Sequence, residues 1–174
     1  MPRTSSSAAL PIADVVLRIL IVVNWLMGAA ILALLLLIPN AQWIMAAFKL
    51  APSPDADRLI LGLRAVAAFG LAAIPLHYVV LDRLLAIVLT VRGGDPFAAA
   101  NARRLQAIAR ALLALQLLSL IIGAIGRAVS SRAHPVHLDA GFSISGWLAV
   151  ILTFLLARVF AQGTLMRDDL EGTV

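Results

Sequence analysis

Long runs of apolar residues, broken at only a few places, dominate this chain. From Ile19 to Ile38, twenty consecutive residues carry no charge and one polar side chain, Asn24. At about 1.5 Å per residue such a run crosses the ~30 Å of a bilayer's hydrocarbon. A secretory signal peptide would end after an apolar region of about 7–15 residues and present a cleavage site. Here the run continues through Gly28, Ala29 and Ala30, which predicts a retained helix over about 15–38. Later apolar stretches predict helices over about 59–91, 96–127 and 142–163. Pro39, Asn40, Pro52 and Pro54 break the first connection, Gly93, Gly94 and Pro96 the second, and residues 130–139 form the third. No period-two alternation is visible, so helices are the spanning structure in which the backbone satisfies itself in lipid. The pattern predicts an all-α integral membrane protein: a single domain over 1–174, with four transmembrane helices and short segments at both termini.

Composition agrees. Apolar residues make up 62% of the chain and charged ones 13%, against about 45–50% and about 25% in soluble domains. This excludes a soluble core of this size and a disordered chain alike. The net charge of +5 and pI of about 11.3 would suggest nucleic acid in a soluble protein. In a membrane protein they reflect loop arginines that set orientation, so no direct nucleic-acid binding is expected. Arg3, Arg18, Arg83, Arg92, Arg103, Arg104, Arg110, Arg158 and Arg167 fall toward one side, and Lys49, Arg58, Arg64, Arg127 and Arg132 toward the other. The larger set predicts both termini in the cytoplasm, with Trp43 and Trp147 near the outer interface. The absence of cysteine excludes disulfides, thiol catalysis and thiolate metal sites.

Two of the helices overrun the bilayer. Residues 59–91 would extend about 50 Å, against ~30 Å of hydrocarbon. Asp95 followed by Pro96 reads as a helix start, an N-cap carboxylate with proline at the first helical position. The second and third helices therefore read as a long hairpin projecting into the cytoplasm and turning over at 92–95. Equal distances from that turn put Asp82 level with Arg103 to Gln106, so a charge pair of Asp82 with Arg103 or Arg104 is expected. Residues 84–91 are apolar all round and need a cover: the protein's own termini, a second copy in a homo-oligomer, or a cytoplasmic partner.

Candidate chemistry is sparse. His134, His137 and Asp139 place three zinc-type ligands in six residues, but Pro135 prevents a regular helix and no fourth ligand is evident, so no metal or other cofactor is expected. No phosphate-binding loop, dinucleotide fingerprint, nucleophile elbow or paired carboxylates occur, which points away from an enzyme. A small transporter or channel subunit would have to use Asp82, His77 and the intramembrane arginines. Arginines near helix ends more often reach for lipid phosphates, in keeping with a multi-pass protein whose first partner is the bilayer.

Two stretches carry a resemblance. Gly94-Asp95-Pro96-Phe97, followed by Asn101, Arg104, Leu105 and Ile108, forms one motif. Phe160, Gly163, Leu165, Arg167, Asp168, Glu171 and Thr173 form the other, in the closing segment 160–174. Together with four spans in the same order, they resemble the bacterial membrane family called domain of unknown function 2975. The resemblance implies a bacterial cytoplasmic (inner) membrane location but no established activity. Members are often encoded beside a small Cro/C1-type helix-turn-helix regulator, which implies a regulatory role and a DNA-binding protein as cytoplasmic partner. Such a partner would meet the hairpin turn 92–104 and the tail 160–174. A structural reading of the same residues is equally available: Pro96 starts a helix, Phe97 packs on the bundle, and Asn101 satisfies turn backbone. The tail would return to the hairpin, pairing Arg167 with Asp95, or Asp168 and Asp169 with Arg103 and Arg104.

Overall fold

The computed structural model describes residues 6–37, 54–95, 98–130 and 140–171, and all regular structure among them is helical. The elements are α1 (Ser6–Leu37), α2 (Pro54–Arg92), α3 (Ala99–Val129) and α4 (Ile144–Glu171). All four contain segments long and apolar enough to cross a membrane. α2 opens on Pro54, whose missing N–H costs nothing in a first turn. Each helix packs against its neighbours in sequence, α1 on α2, α2 on α3 and α3 on α4, and α1 does not touch α4 among the described residues. The bundle is therefore open, with α2 and α3 in the middle and much apolar surface on the two outer helices, including Leu26, Leu34, Leu36, Leu155 and Val159. Lipid is the natural solvent for such faces.

The α2–α3 turn is closed by a Schellman motif. The Asp95 N–H donates to the Thr90 carbonyl at 3.2 Å and the Gly94 N–H to the Val91 carbonyl at 3.1 Å. Gly94 has φ +86°, the left-handed conformation this cap requires. Nothing lies within 4 Å of where its Cβ would be, so Gly94→Ala tests conformation alone. Its expected cost is about 1 kcal/mol, read as a lower unfolding midpoint in detergent. The expected cap at Asp95 is not formed. α3 begins later, with Ala98 at its N-cap position and no side-chain cap, because Asp95 is held by the closing turn of α2. Pro96 and Phe97 lie outside the described residues.

The hairpin keeps one register along its whole length. Thr90 meets Asn101 at the turn, and a Cβ on Gly62 would collide with the Val129 side chain at the other end. Both contacts match α2 and α3 residues whose numbers share the same sum, over 28 residues or about 42 Å of helix. By this register Asp82 stands level with Ala109, about 9 Å from the level of Arg103. The expected pairing misjudged the register, because level partners fall three to four residues later on α3 than a turn centred on Gly93 and Gly94 gives. Arg64 is level with Arg127, and Arg83 nearly level with Arg110, so the charges bound one common uncharged band. That band covers residues 65–81 on α2 and 111–126 on α3, about 25 Å deep. Long arginine side chains reaching outward bring it to bilayer thickness.

α1 docks on α2 through Gly28, where a Cβ would lie 3.1 Å from Ile74, and through Trp25, whose ring centroid is 5.6 Å from that of Tyr78. Asn24, the polar residue of the first span, donates to the Ile74 carbonyl at 3.1 Å. At the other edge α4 is offset. Gly146 lies against Gln116 and Gly141 against Ser119, so α4 starts level with the middle of the uncharged band while α3 runs on to Val129. The non-helical chain at 140–143 is tied by serine hydroxyls to α3 and to the first turn of α4. The Gly141 N–H donates to Ser119 Oγ at 3.0 Å, and the Gly146 N–H to Ser143 Oγ at 3.2 Å. At its other end α4 continues as helix to Glu171. The apolar span ends near Thr164, as the pattern predicts, while the helix itself runs on, so residues 160–171 do not turn back. No proline interrupts it, and Thr164 is buried there with its hydroxyl donating to the Ala161 carbonyl at 2.8 Å.

Candidate functional site

Polar and charged side chains concentrate at the hairpin end. Asn101, in the first turns of α3, is fully buried. Its Oδ1 accepts from Arg104 Nη1 at 2.8 Å and lies 3.0 Å from the Thr90 hydroxyl. That hydroxyl is also 2.7 Å from the Ile87 carbonyl, and its single hydrogen serves one acceptor at a time. Arg104 Nη1 donates further to the Ala86 carbonyl at 3.2 Å. One amide oxygen thus ties α2 and α3 together just below the turn, with Leu105 and Ile108 buried beneath it. The motif residues Asn101, Arg104 and Leu105 act here as the lock of the hairpin.

A second tie joins α1 to the same end. Asp14 accepts from Arg92 Nη1 at 2.8 Å and from Arg18 Nε at 2.7 Å. The carboxylate is largely covered, with 15% of its side chain exposed, while both arginines reach out. Arg92 thereby serves twice, since a cation in the last turn of α2 also meets the negative end of the helix dipole. Nothing in the sequence pattern singled out Asp14 or Thr90. Arg92 lies far along the chain from Asp14, and only the hairpin register brings Thr90 to Asn101.

Several expected residues are placed differently. Asp82 lies 3.8 Å from Arg83 Nε and forms no ion pair with Arg103 or Arg104. Arg104 is turned to Asn101 instead. His77 Nδ1 lies 2.9 Å from the Ala73 carbonyl and lines an open groove between α1, α2 and α3 with Asn24 and Leu112. Gly163 and the half-buried Phe160 lie on α4. Leu165, Arg167 and Asp168 also fall on α4, their side chains outside the described residues, as are Thr173 and the candidate ligands His134, His137 and Asp139. Among the described residues no group of three metal-type ligands occurs. Two buried donors near the start of α4, Gln116 Nε2 and Trp147 Nε1, have no hydrogen-bond partner among those residues. Trp147 follows the glycine that touches Gln116.

Four long apolar helices, with polar atoms tied at one end, define a multi-pass helical membrane protein. The chain belongs to the family described as protein of unknown function DUF2975, whose model matches residues 39–174. The match takes in α2, α3 and α4 and leaves α1 outside, so the resemblance is narrower than the whole chain. Neither the curated proteins nor the solved structures give a match.

Proposed function

We propose that this is a non-enzymatic regulatory protein of a bacterial inner membrane. Its hairpin end and the last turns of α4 hold a soluble cytoplasmic partner, a small helix-turn-helix transcription regulator. What supports the reading is that two motif segments far apart in sequence share one end of the molecule. The register of α3 against α4 puts residue 163 level with Ala99 and carries Glu171 about 12 Å beyond it, so the last turns of α4 pass the level of the turn at 93–95. The locks at Asn101 and Asp14 hold that end in one shape, which lowers the ordering cost of binding. Both termini and the hairpin turn then face the cytoplasm, in keeping with the excess of arginine on that side.

The test is co-purification of the neighbouring regulator with the full-length, membrane-extracted protein. Intact protein is expected to retain it, and Phe97→Ala or truncation after Phe160 to retain at least tenfold less. Membranes carrying the intact protein but retaining no regulator would sink the idea.

A further inference from the structure

A cleft of about 540 Å³ opens between α3 and α4, lined on α3 by Ala102, Arg103 and Gln106 and on α4 by Phe154, Leu155 and Arg158 among others. We propose that this cleft binds an acidic phospholipid, with Arg103 and Arg158 on its phosphate and the apolar wall of α4 along its acyl chains.

Charge, depth and shape support this occupant together. Arg103 and Arg158 are both exposed, and neither has a hydrogen bond or ion pair among the described residues, unlike Arg18, Arg92 and Arg104. Two guanidinium groups on one cleft call for an anion, and a phosphate takes their paired N–H groups well. The chain's own acidic residues Asp168 and Asp169 stand ten or more residues farther along α4 than Arg158, about 15 Å beyond it along the axis. The expected pairing of those aspartates with Arg103 or Arg104 therefore does not fit an uninterrupted α4.

Depth selects a lipid over a soluble anion. The uncharged band on α3 is centred near residue 118, which puts Arg103 about 22 Å from the middle of the bilayer. The hydrocarbon ends near 15 Å from that middle and headgroups occupy the layer beyond it. Arg110 lies deeper, and its Nε donates to the Gln106 carbonyl at 3.3 Å, so it is drawn back toward the same level. Below the arginines, Phe154 and Leu155 continue the wall toward the hydrocarbon. A phosphate at the mouth and an acyl chain along that wall match an acidic phospholipid end to end.

The proposal does not depend on the partner reading, and its test uses no partner. Full-length protein is delipidated in a mild detergent and offered phosphatidylglycerol, phosphatidylcholine or glycerol phosphate, with bound lipid counted by native mass spectrometry and stability read from the melting midpoint. Phosphatidylglycerol is expected to be retained and to raise the midpoint, while phosphatidylcholine and glycerol phosphate do neither. The double variant Arg103→Gln/Arg158→Gln is expected to retain at least tenfold less phosphatidylglycerol, and Arg83→Gln, outside the cleft, to retain the wild-type amount. A photoactivatable phosphatidylglycerol on the wild-type protein covers the case of a poorly folded variant, and it should label peptides spanning 154–161. Equal retention of both lipids, full retention by the double variant, or labelling confined to α1 and α2 would each overturn the proposal. So would an equal response to glycerol phosphate, which would mark a soluble-anion site.

Discussion

Replacing Asn101 with leucine is expected to destabilise the purified protein by about 2 kcal/mol, read from unfolding by a denaturing detergent in mixed micelles. The side chain is fully buried, and its Oδ1 faces both Arg104 Nη1 and the Thr90 hydroxyl. Leucine keeps the branch at Cγ but is larger and offers no acceptor, so some overpacking adds to the cost of the groups left behind. Thr90 has a fallback in the Ile87 carbonyl at 2.7 Å. Arg104 keeps only the Ala86 carbonyl, and a guanidinium short of partners in a covered site is the expensive part of the loss. The double variant Asn101→Leu/Arg104→Leu should therefore recover part of the stability that Asn101→Leu removes. A measured loss below about 0.5 kcal/mol for Asn101→Leu, within the range of ordinary surface changes, would show that the network is not what closes the hairpin.

The second large effect is expected at Gly123, where α3 passes the chain entering α4. A Cβ there would lie 2.7 Å from the Ala140 carbonyl oxygen and 2.7 Å from the Gly141 Cα. Both obstacles are backbone, so no rotamer change relieves them, and Gly123→Ala should cost on the order of 1–3 kcal/mol. Gly146 offers the contrast. Its Cβ would meet the amide end of Gln116, a side chain that can move. Gly146→Ala should cost less, and pairing it with Gln116→Ala should relieve the clash. The same unfolding assay separates the two cases, and a Gly123→Ala protein as stable as wild type would contradict the close approach of residues 140–141 to α3.

The two sites differ in how far they could be read from the sequence. The four spans were legible because uncharged runs of twenty residues have few other uses, and the turn was legible from Gly93 and Gly94. Asn101 stood out as a polar residue in a recurring motif, though its burial did not. What escaped notice depends on register: a hairpin slipped by three or four residues reassigns every level pair, which moved Asp82 away from Arg103 and brought Thr90 to Asn101. Gly62, Gly123 and Gly146 gave a faint signal as glycines within apolar helices, but composition alone does not say which of them face a neighbouring backbone. The offset of α4 was out of reach, because the pattern marks where apolar segments lie and not how deep each begins.

The open arrangement of the helices has a consequence for biogenesis. Because among the described residues α1 meets only α2, α2 only its two neighbours and α4 only α3, each helix after the first finds its preceding neighbour already made when it leaves the ribosome. Among the described residues no late helix returns to close a ring, since every helix pair in contact is consecutive along the chain. Assembly is then vectorial, one helix laid against the last in the order of synthesis. Stability builds up as a chain of nearest-neighbour interfaces, in the manner of repeat arrays. A ribosome stalled after α3 would already present the finished hairpin, Asn101 lock included, and an α1 exchanged for an unrelated span would disturb one interface and leave the other two standing.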